Sequence, residues 1–334
     1  MSETRARGEI ASIIGGSGFI GRHVTAAMAA QGWRIRIICR RPDLAGFLQP
    51  LGDAGQIAFV QANVRDADSL RPALAGSRVV LNLAGILRER GRQTFQAVHV
   101  DGARAVARAA RQAGAERFVH VSALGADAGS PAAYGRSKAE GERQIRMTFP
   151  EALIVRPSLV IGPEDAFFNL FAEMARFSWV LPLIGHGATR FQPVCVGDVA
   201  AAIARLARGK GEKGSIHELG GPEIFTFRDL LSLMLRIIRR RRLLLPIPFS
   251  LARVMAWPMQ FIPGAPLTPD QVRMLQRDSV VSQAAIREGR TLEGLGLTAD
   301  GIEAVAEEYL ARYRPQGQFT TVREALAMMV KARG

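Results

Sequence analysis

The sequence predicts an α/β protein: a doubly wound parallel sheet followed by a smaller, mixed C-terminal subdomain. Three observations predict it. Short apolar runs alternate with helical patterns through the first half, a glycine-rich turn joins the first run to the first helix, and prolines interrupt the second half. Strand–helix alternation produces a parallel sheet covered on both faces, with its functional loops at the carboxyl ends of the strands.

Strands are expected at 10–14, 34–39, 57–61, 79–83, 118–122 and 153–157, with helical patterns at 21–31, 98–113 and 137–148. These elements define a nucleotide-binding domain over residues 1–165. Residues 194–207 read as a strand end and a helix, so 192–207 is expected to return to that domain. Residues 166–334 form the smaller substrate- or partner-docking subdomain.

The first strand runs directly into Gly15-Gly16-Ser17-Gly18-Phe19-Ile20-Gly21-Arg22. Glycines 16, 18 and 21 match GxGxxG, and glycines 15, 18 and 21 match GxxGxxG. Such a turn between a strand and a helix is the Rossmann phosphate cradle: glycine permits the turn, admits a pyrophosphate to the backbone and lets the helix pack closely. Uncapped N–H groups and the helix dipole then hold the anion.

Cofactor choice is read about 20 residues further on. Where an acid would accept from a ribose 2′-hydroxyl, this chain has Arg40-Arg41. Two guanidiniums attract a 2′-phosphate, so NADP(H) is the expected cofactor, with Arg22 as a further cation. The alternative is that these arginines are solvated loop charges in an arginine-rich chain.

Tyr134 and Lys138 form YxxxK, an i, i+4 pair on one helix face. An ammonium beside the phenol is expected to lower the tyrosine pKa toward proton transfer. The alternative is a surface pair.

With these motifs the chain resembles the short-chain dehydrogenase/reductase superfamily over roughly residues 10–218. Further points of likeness are Asn63-Val64-Arg65-Asp66, Asn82-Leu83-Ala84-Gly85, Val119-His120-Val121-Ser122 and Arg156-Pro157-Ser158. The resemblance implies that Asn63 and Val64 flank the adenine, that Leu83, Ala84, Gly85 and Val121 line the cofactor's path, and that Pro157, Leu159 and Val160 lie near the nicotinamide. Within the superfamily, 149–158 followed by Gly162-Pro163-Glu164-Asp165, and Gln192-Pro193-Val194-Cys195-Val196-Gly197-Asp198-Val199, resemble the NADPH-binding accessory subunit of respiratory complex I and its bacterial relatives. That resemblance implies an atypical member that holds NADPH structurally, with complex I subunits as partners, at the cytoplasmic face of a bacterial inner membrane. Active members carry a Ser or Thr just after the fifth strand, where this chain has Ala123-Leu124-Gly125. Ser122 or Ser130 would have to substitute. The competing expectation is a working NADP-dependent oxidoreductase acting on a hydrophobic carbonyl or quinone.

Of the 334 residues, 48% are hydrophobic and 7% aromatic, and the formal net charge is +14. The charge points to nucleic acid, anionic lipid or an acidic protein, or it follows from arginine codon usage alone. Sparse aromatics and the lack of a recognition motif argue against nucleic acid. The five histidines lack ligand spacing and the two cysteines form no CxxC, so no metal or disulfide is expected. No apolar leader segment or membrane span is expected either. Residues 227–242 read as an amphipathic helix with Leu230, Leu231, Met234, Ile237 and Ile238 on one face, ending in Arg239-Arg240-Arg241-Arg242. Most apolar positions there and in 243–262 are expected in the subdomain core. The four arginines mark a docking surface for a partner or anionic lipid. Val322, Leu326, Met329 and Val330 suggest a terminal helix.

Overall fold

In the computed structural model, residues 8–259, 267–315 and 317 are described. The expected terminal helix through Val322 and Met329 lies outside them. The chain divides into two compact units. Among the described residues, the first comprises 8–158, 196–220 and 279–299, and the second 159–195, 221–259, 267–278, 300–315 and 317.

The first unit is a seven-stranded parallel sheet. Its strands are β1 (Ile10–Ile14), β2 (Arg34–Cys39), β3 (Ile57–Gln61), β4 (Val79–Asn82), β5 (Arg117–Val121), β6 (Leu153–Pro157) and β7 (Ile216–Leu219). Their order is β7-β6-β5-β4-β1-β2-β3, and every pairing is parallel. The chain winds outward from β1 in both directions, so β1 and β4 bracket the topological switch point, where doubly wound sheets open a ligand crevice. Helices α1 (Phe19–Ala30), α2 (Ala67–Leu74), α3 (Gly102–Gln112), α4 (Ala133–Thr148) and α5 (Val196–Ala207) accompany the sheet. Strands β1 and β4 are almost wholly buried apolar runs, as a sheet covered on both faces requires. A π-helical turn, Gln96–Asp101, leads into α3.

In the second unit, short strand pairs join Val160–Ile161 to Val194–Cys195, Arg190–Phe191 to Phe225–Thr226, and Val180–Ile184 to Leu243–Ile247. Its core gathers Phe168 and Phe171 of helix Phe168–Phe177 against Phe227, Leu230, Leu231 and Met234 of helix Phe227–Ile237. The carboxylate of Asp165 is buried there and accepts from the Phe167 and Phe168 N–H groups (2.8 and 2.6 Å) and from the Tyr309 hydroxyl.

Two expectations need correction. The helix beginning at Phe227 stops at Ile237, before the arginines. Arg239 adopts φ +54°, and the Arg240 N–H bonds back to the Leu235 carbonyl, a Schellman-type stop that lifts the chain off the helix axis. Among the described residues the apolar run beyond it is only partly core, with Leu244 and Phe249 packed against the core besides its buried members. Ile247, Ala252 and Ala256 are buried, whereas Leu243, Leu245, Leu251, Val254, Met255 and Trp257 are exposed.

Candidate functional site

After β1 the chain turns at Gly15, whose φ of +79° lies in the left-handed region. A Cβ there would stand 3.1 Å from backbone atoms of Leu83 and Ala84, so both the turn and the neighbouring loop require glycine. A Cβ on Gly21 would collide with the Gly15 carbonyl oxygen and the Gly16 backbone, closing off the path by which α1 leaves the turn. Gly18 is the N-cap of α1, and no side chain caps that end. Its first-turn N–H groups and the positive end of its dipole therefore remain available to an anion.

A cavity of about 440 Å³ opens at the carboxyl ends of β1 to β4. Gly15, Ser17 and Gly18 line it from the glycine turn, Arg40 and Arg41 from the end of β2, Asn63 and Val64 from the end of β3, and Leu83, Ala84 and Gly85 from the end of β4. No acidic side chain is in the lining. Arg41 is ion-paired to Asp43 at 2.9 Å, with both groups exposed, and this pairing raises the Arg41 pKa. Arg40 has no acidic partner among the described residues. Gly16, Phe19, Ile20, Gly21 and Arg22 build the turn and the start of α1 without lining the cavity. The Arg22 guanidinium sits 4.8 Å over the ring of Phe47, a lining residue that sequence reasoning missed.

Tyr134 and Lys138 lie in the first two turns of α4, and both are buried. Lys138 Nζ donates to the Val121 carbonyl at 3.2 Å and stands 3.3 Å from where a Gly85 Cβ would be; Gly85 lines the cavity, whereas Tyr134 and Lys138 do not. Burial lowers the Lys138 pKa to about 8, opposed by the charge of Glu142. The expected depression of the tyrosine pKa is not found. Burial pushes the Tyr134 hydroxyl up to about 12, and Lys138 Nζ lies 5.9 Å from the centroid of its ring. Desolvation of the phenolate outweighs the nearby positive charge.

Ser122 is buried, and its Oγ has no hydrogen-bond partner, so it is not joined to the Tyr134 hydroxyl. Ser130 Oγ receives the Ala132 N–H at 3.3 Å, at the start of α4. Pro157 closes β6, and its carbonyl accepts the Leu124 N–H at 3.1 Å. Leu159 and Val160 belong to the second unit.

Two features went unread in the sequence. His99, in the π-helical turn, accepts the Ile86 N–H on Nε2 at 3.0 Å. That acceptor role leaves the ring proton on Nδ1, which donates to Ser137 Oγ at 2.9 Å, and Ser137 in turn donates to the Tyr134 carbonyl at 2.8 Å. This chain of bonds ties the loop after β4 to the helix of the Tyr–Lys pair. Burial, then the charge of Lys138, lowers the His99 pKa to about 3, which keeps the ring neutral. Second, Glu142 is buried one turn beyond Lys138 and receives a bidentate pair from Arg156 at 2.9 and 2.6 Å. The i, i+4 spacing of Lys138 and Glu142 was the available signal.

The sequence model of the NAD dependent epimerase/dehydratase family matches residues 11–220, and the chain belongs to that family. It is 34% identical over 322 residues to the mitochondrial NADH dehydrogenase (ubiquinone) 1 alpha subcomplex subunit 9 of Arabidopsis thaliana, covering 93% of this chain and 79% of that protein. It is 38% identical over 205 residues to the ceramide reductase of Caulobacter vibrioides, covering 61% of this chain and 62% of that protein. Among solved structures, the UDP-glucuronic acid 4-epimerase of Bacillus cereus shares the fold with a TM-score of 0.68, at 18% identity over 90% of this chain and 98% of that one. The expected doubly wound fold and the resemblance to the complex I subunit family are thus both met.

Proposed function

We propose that the chain is an NADP(H)-holding accessory protein of a quinone-reducing respiratory complex, peripheral at the inner membrane of a bacterium, and that it retains its nucleotide without turning it over. The observation that carries the cofactor choice is the cavity wall at the end of β2, where Arg40 and Arg41 replace the acid that a ribose 2′-hydroxyl would need. The residues fit the group: a glycine turn that a Cβ would obstruct, an uncapped helix start and a cavity free of carboxylates.

In this reading Gly15, Ser17 and Gly18 hold the pyrophosphate, Asn63 and Val64 flank the adenine, and Arg40 and Arg41 hold the 2′-phosphate. Lys138, at the edge of Gly85, holds the nicotinamide ribose. When bound, NADPH supplies a hydride. The Tyr134 proton is held tightly by burial, and Ser122 makes no bond to it, which favours retention over catalysis. The likeness to a complex I subunit supports assembly with that complex. Native mass spectrometry of detergent-extracted membranes tests the reading: bound NADPH and respiratory subunits on one particle support it, and a bare, unattached chain contradicts it.

The second reading is a working NADPH-dependent reductase of a hydrophobic carbonyl, with Tyr134 as proton donor and Lys138 as its partner. The placing of Tyr134 and Lys138 in the first two turns of one helix and the ceramide reductase relative favour it. Sustained NADPH oxidation with long-chain ketones or quinones, lost in Tyr134→Phe, would establish it in place of the first.

A further inference from the structure

The second unit carries an apolar ridge bordered by arginines. Strand Val180–Ile184 pairs in parallel with Leu243–Ile247, placing Leu243 opposite Val180 and Leu245 opposite Pro182. On this two-stranded ribbon Leu243 is 63% exposed and Leu245 48%, and the residues leading into it, Phe177 and Trp179, are 78% and 76% exposed. The Leu243 N–H donates to the Trp179 carbonyl at 2.9 Å, which extends the backbone pairing of the ribbon to Trp179.

Cations are fixed against the same ridge. The Arg242 guanidinium lies 4.7 Å over the Trp179 ring, and its Nε donates to the Ala175 carbonyl at 2.8 Å. The Arg176 guanidinium lies 5.4 Å over the Phe177 ring. Arg241 is exposed and immediately precedes Arg242 at the start of the ribbon. Arg240 Nε donates to the Tyr313 carbonyl at 2.9 Å, and burial, then the charges of Arg242 and Arg176, lowers its pKa. Glu173, one turn before Phe177, is already engaged with Arg176 at 3.2 Å.

We infer that this ridge is an interfacial membrane anchor, in which Phe177, Trp179, Leu243 and Leu245 enter the headgroup–acyl boundary of an anionic bilayer while Arg241 and Arg242 meet lipid phosphates. An exposed Trp stacked with a guanidinium suits that boundary, because its ring is apolar and its N–H is polar, and the neighbouring Phe adds apolar surface. Arginine stacked on an aromatic ring keeps its outer N–H groups for phosphate. The excess of cations over unpaired acids matches anionic lipid rather than an apolar protein groove. Among the described residues no helix is long and apolar enough to cross a membrane, so this ridge acts from the surface. The inference does not depend on nucleotide binding.

The test is co-sedimentation of the full chain with vesicles of phosphatidylcholine alone and of phosphatidylcholine mixed with phosphatidylglycerol. Binding to the mixed vesicles, little binding to the neutral ones and loss of binding as salt rises are expected. Because the substituted side chains are exposed, the double variant Trp179→Ser, Leu243→Ser should keep its thermal midpoint while its vesicle affinity falls about tenfold. Arg241→Gln should lower affinity for the anionic vesicles about fivefold. Equal binding to both vesicle types, no binding to either, or anionic binding unchanged in both variants would overturn the inference.

Discussion

The imidazole of His99 accepts the Ile86 N–H at 3.0 Å, and through Ser137 it connects the loop after β4 to the helix carrying Tyr134 and Lys138. A neutral ring with one accepting and one donating nitrogen is the only form that makes both bonds. Replacing His99 with Ala leaves the Ile86 N–H without its acceptor and opens a hole beside Phe95, which stacks on the ring at 5.3 Å. The expected cost is about 2–3 kcal/mol in urea unfolding. Nucleotide affinity should weaken as well, since Ile86 lines the cavity.

Acid should destabilise the protein before its carboxylates titrate. Burial holds His99 at about 3 and His217 at about 4 and also lowers His120, so all three stay neutral in the folded chain. The unfolded chain takes up protons on these rings below roughly 6.5. Their contribution is therefore complete above that pH and is lost as pH falls toward the folded values. At pH 5 the loss is about 2 kcal/mol for each of His99 and His217. A thermal midpoint that falls steadily between neutrality and pH 5 is expected, and a flat profile would contradict it.

Glu142 and Arg156 should behave unlike the surface pairs. Glu142 Oε2 is 2.6 Å from Arg156 Nη2, with the Glu142 side chain only 5% exposed. Glu142→Gln leaves the half-buried Arg156 guanidinium with Glu218, at 3.9 Å, as its remaining ion-pair partner, at a cost of about 2–3 kcal/mol. It also removes the one charge that holds the Lys138 pKa up, so nucleotide binding should weaken with rising pH at a lower pH than in the parent. By contrast, Glu140→Gln, which removes the exposed partner of Arg143, should leave the unfolding midpoint unchanged within error.

The glycine turn gives a sharp mutational contrast. Gly15→Ala forces a side chain into a left-handed backbone and against Leu83 and Ala84, so a loss of about 1–2 kcal/mol and of nucleotide binding is expected. Gly46→Ala, where a Cβ meets nothing within 4 Å, should bind as the parent does. Calorimetric titration of the two variants separates the turn's role from a general intolerance of substitution.

Six of the seven sheet strands were legible because each is a short apolar run closed by a turn or a helix. The seventh, Ile216–Leu219, has only two apolar residues, three positions apart and so out of strand alternation, and takes its register from β6, so its own composition carried too little signal. The glycine turn and the arginines after β2 were equally plain, since both are local in sequence. His99 was not legible, because its two partners lie 13 and 38 residues away and a lone histidine in a helical pattern reads as core. The return of 279–299 to the first unit left no mark either. It rests on long-range bonds such as Ser158 Oγ to the Ser279 carbonyl at 2.7 Å and Arg205 Nη1 to the Gly296 carbonyl at 2.7 Å.

The most direct measurement is competitive calorimetric titration of nucleotide-free protein with NADP⁺ and NAD⁺, repeated on Arg40→Ala, Arg41→Ala. NADP⁺ is expected to bind at least about tenfold more tightly, and the double substitution to remove the preference while leaving NAD⁺ affinity nearly unchanged. Equal or tighter binding of NAD⁺ by the parent, or no binding of either, would contradict it.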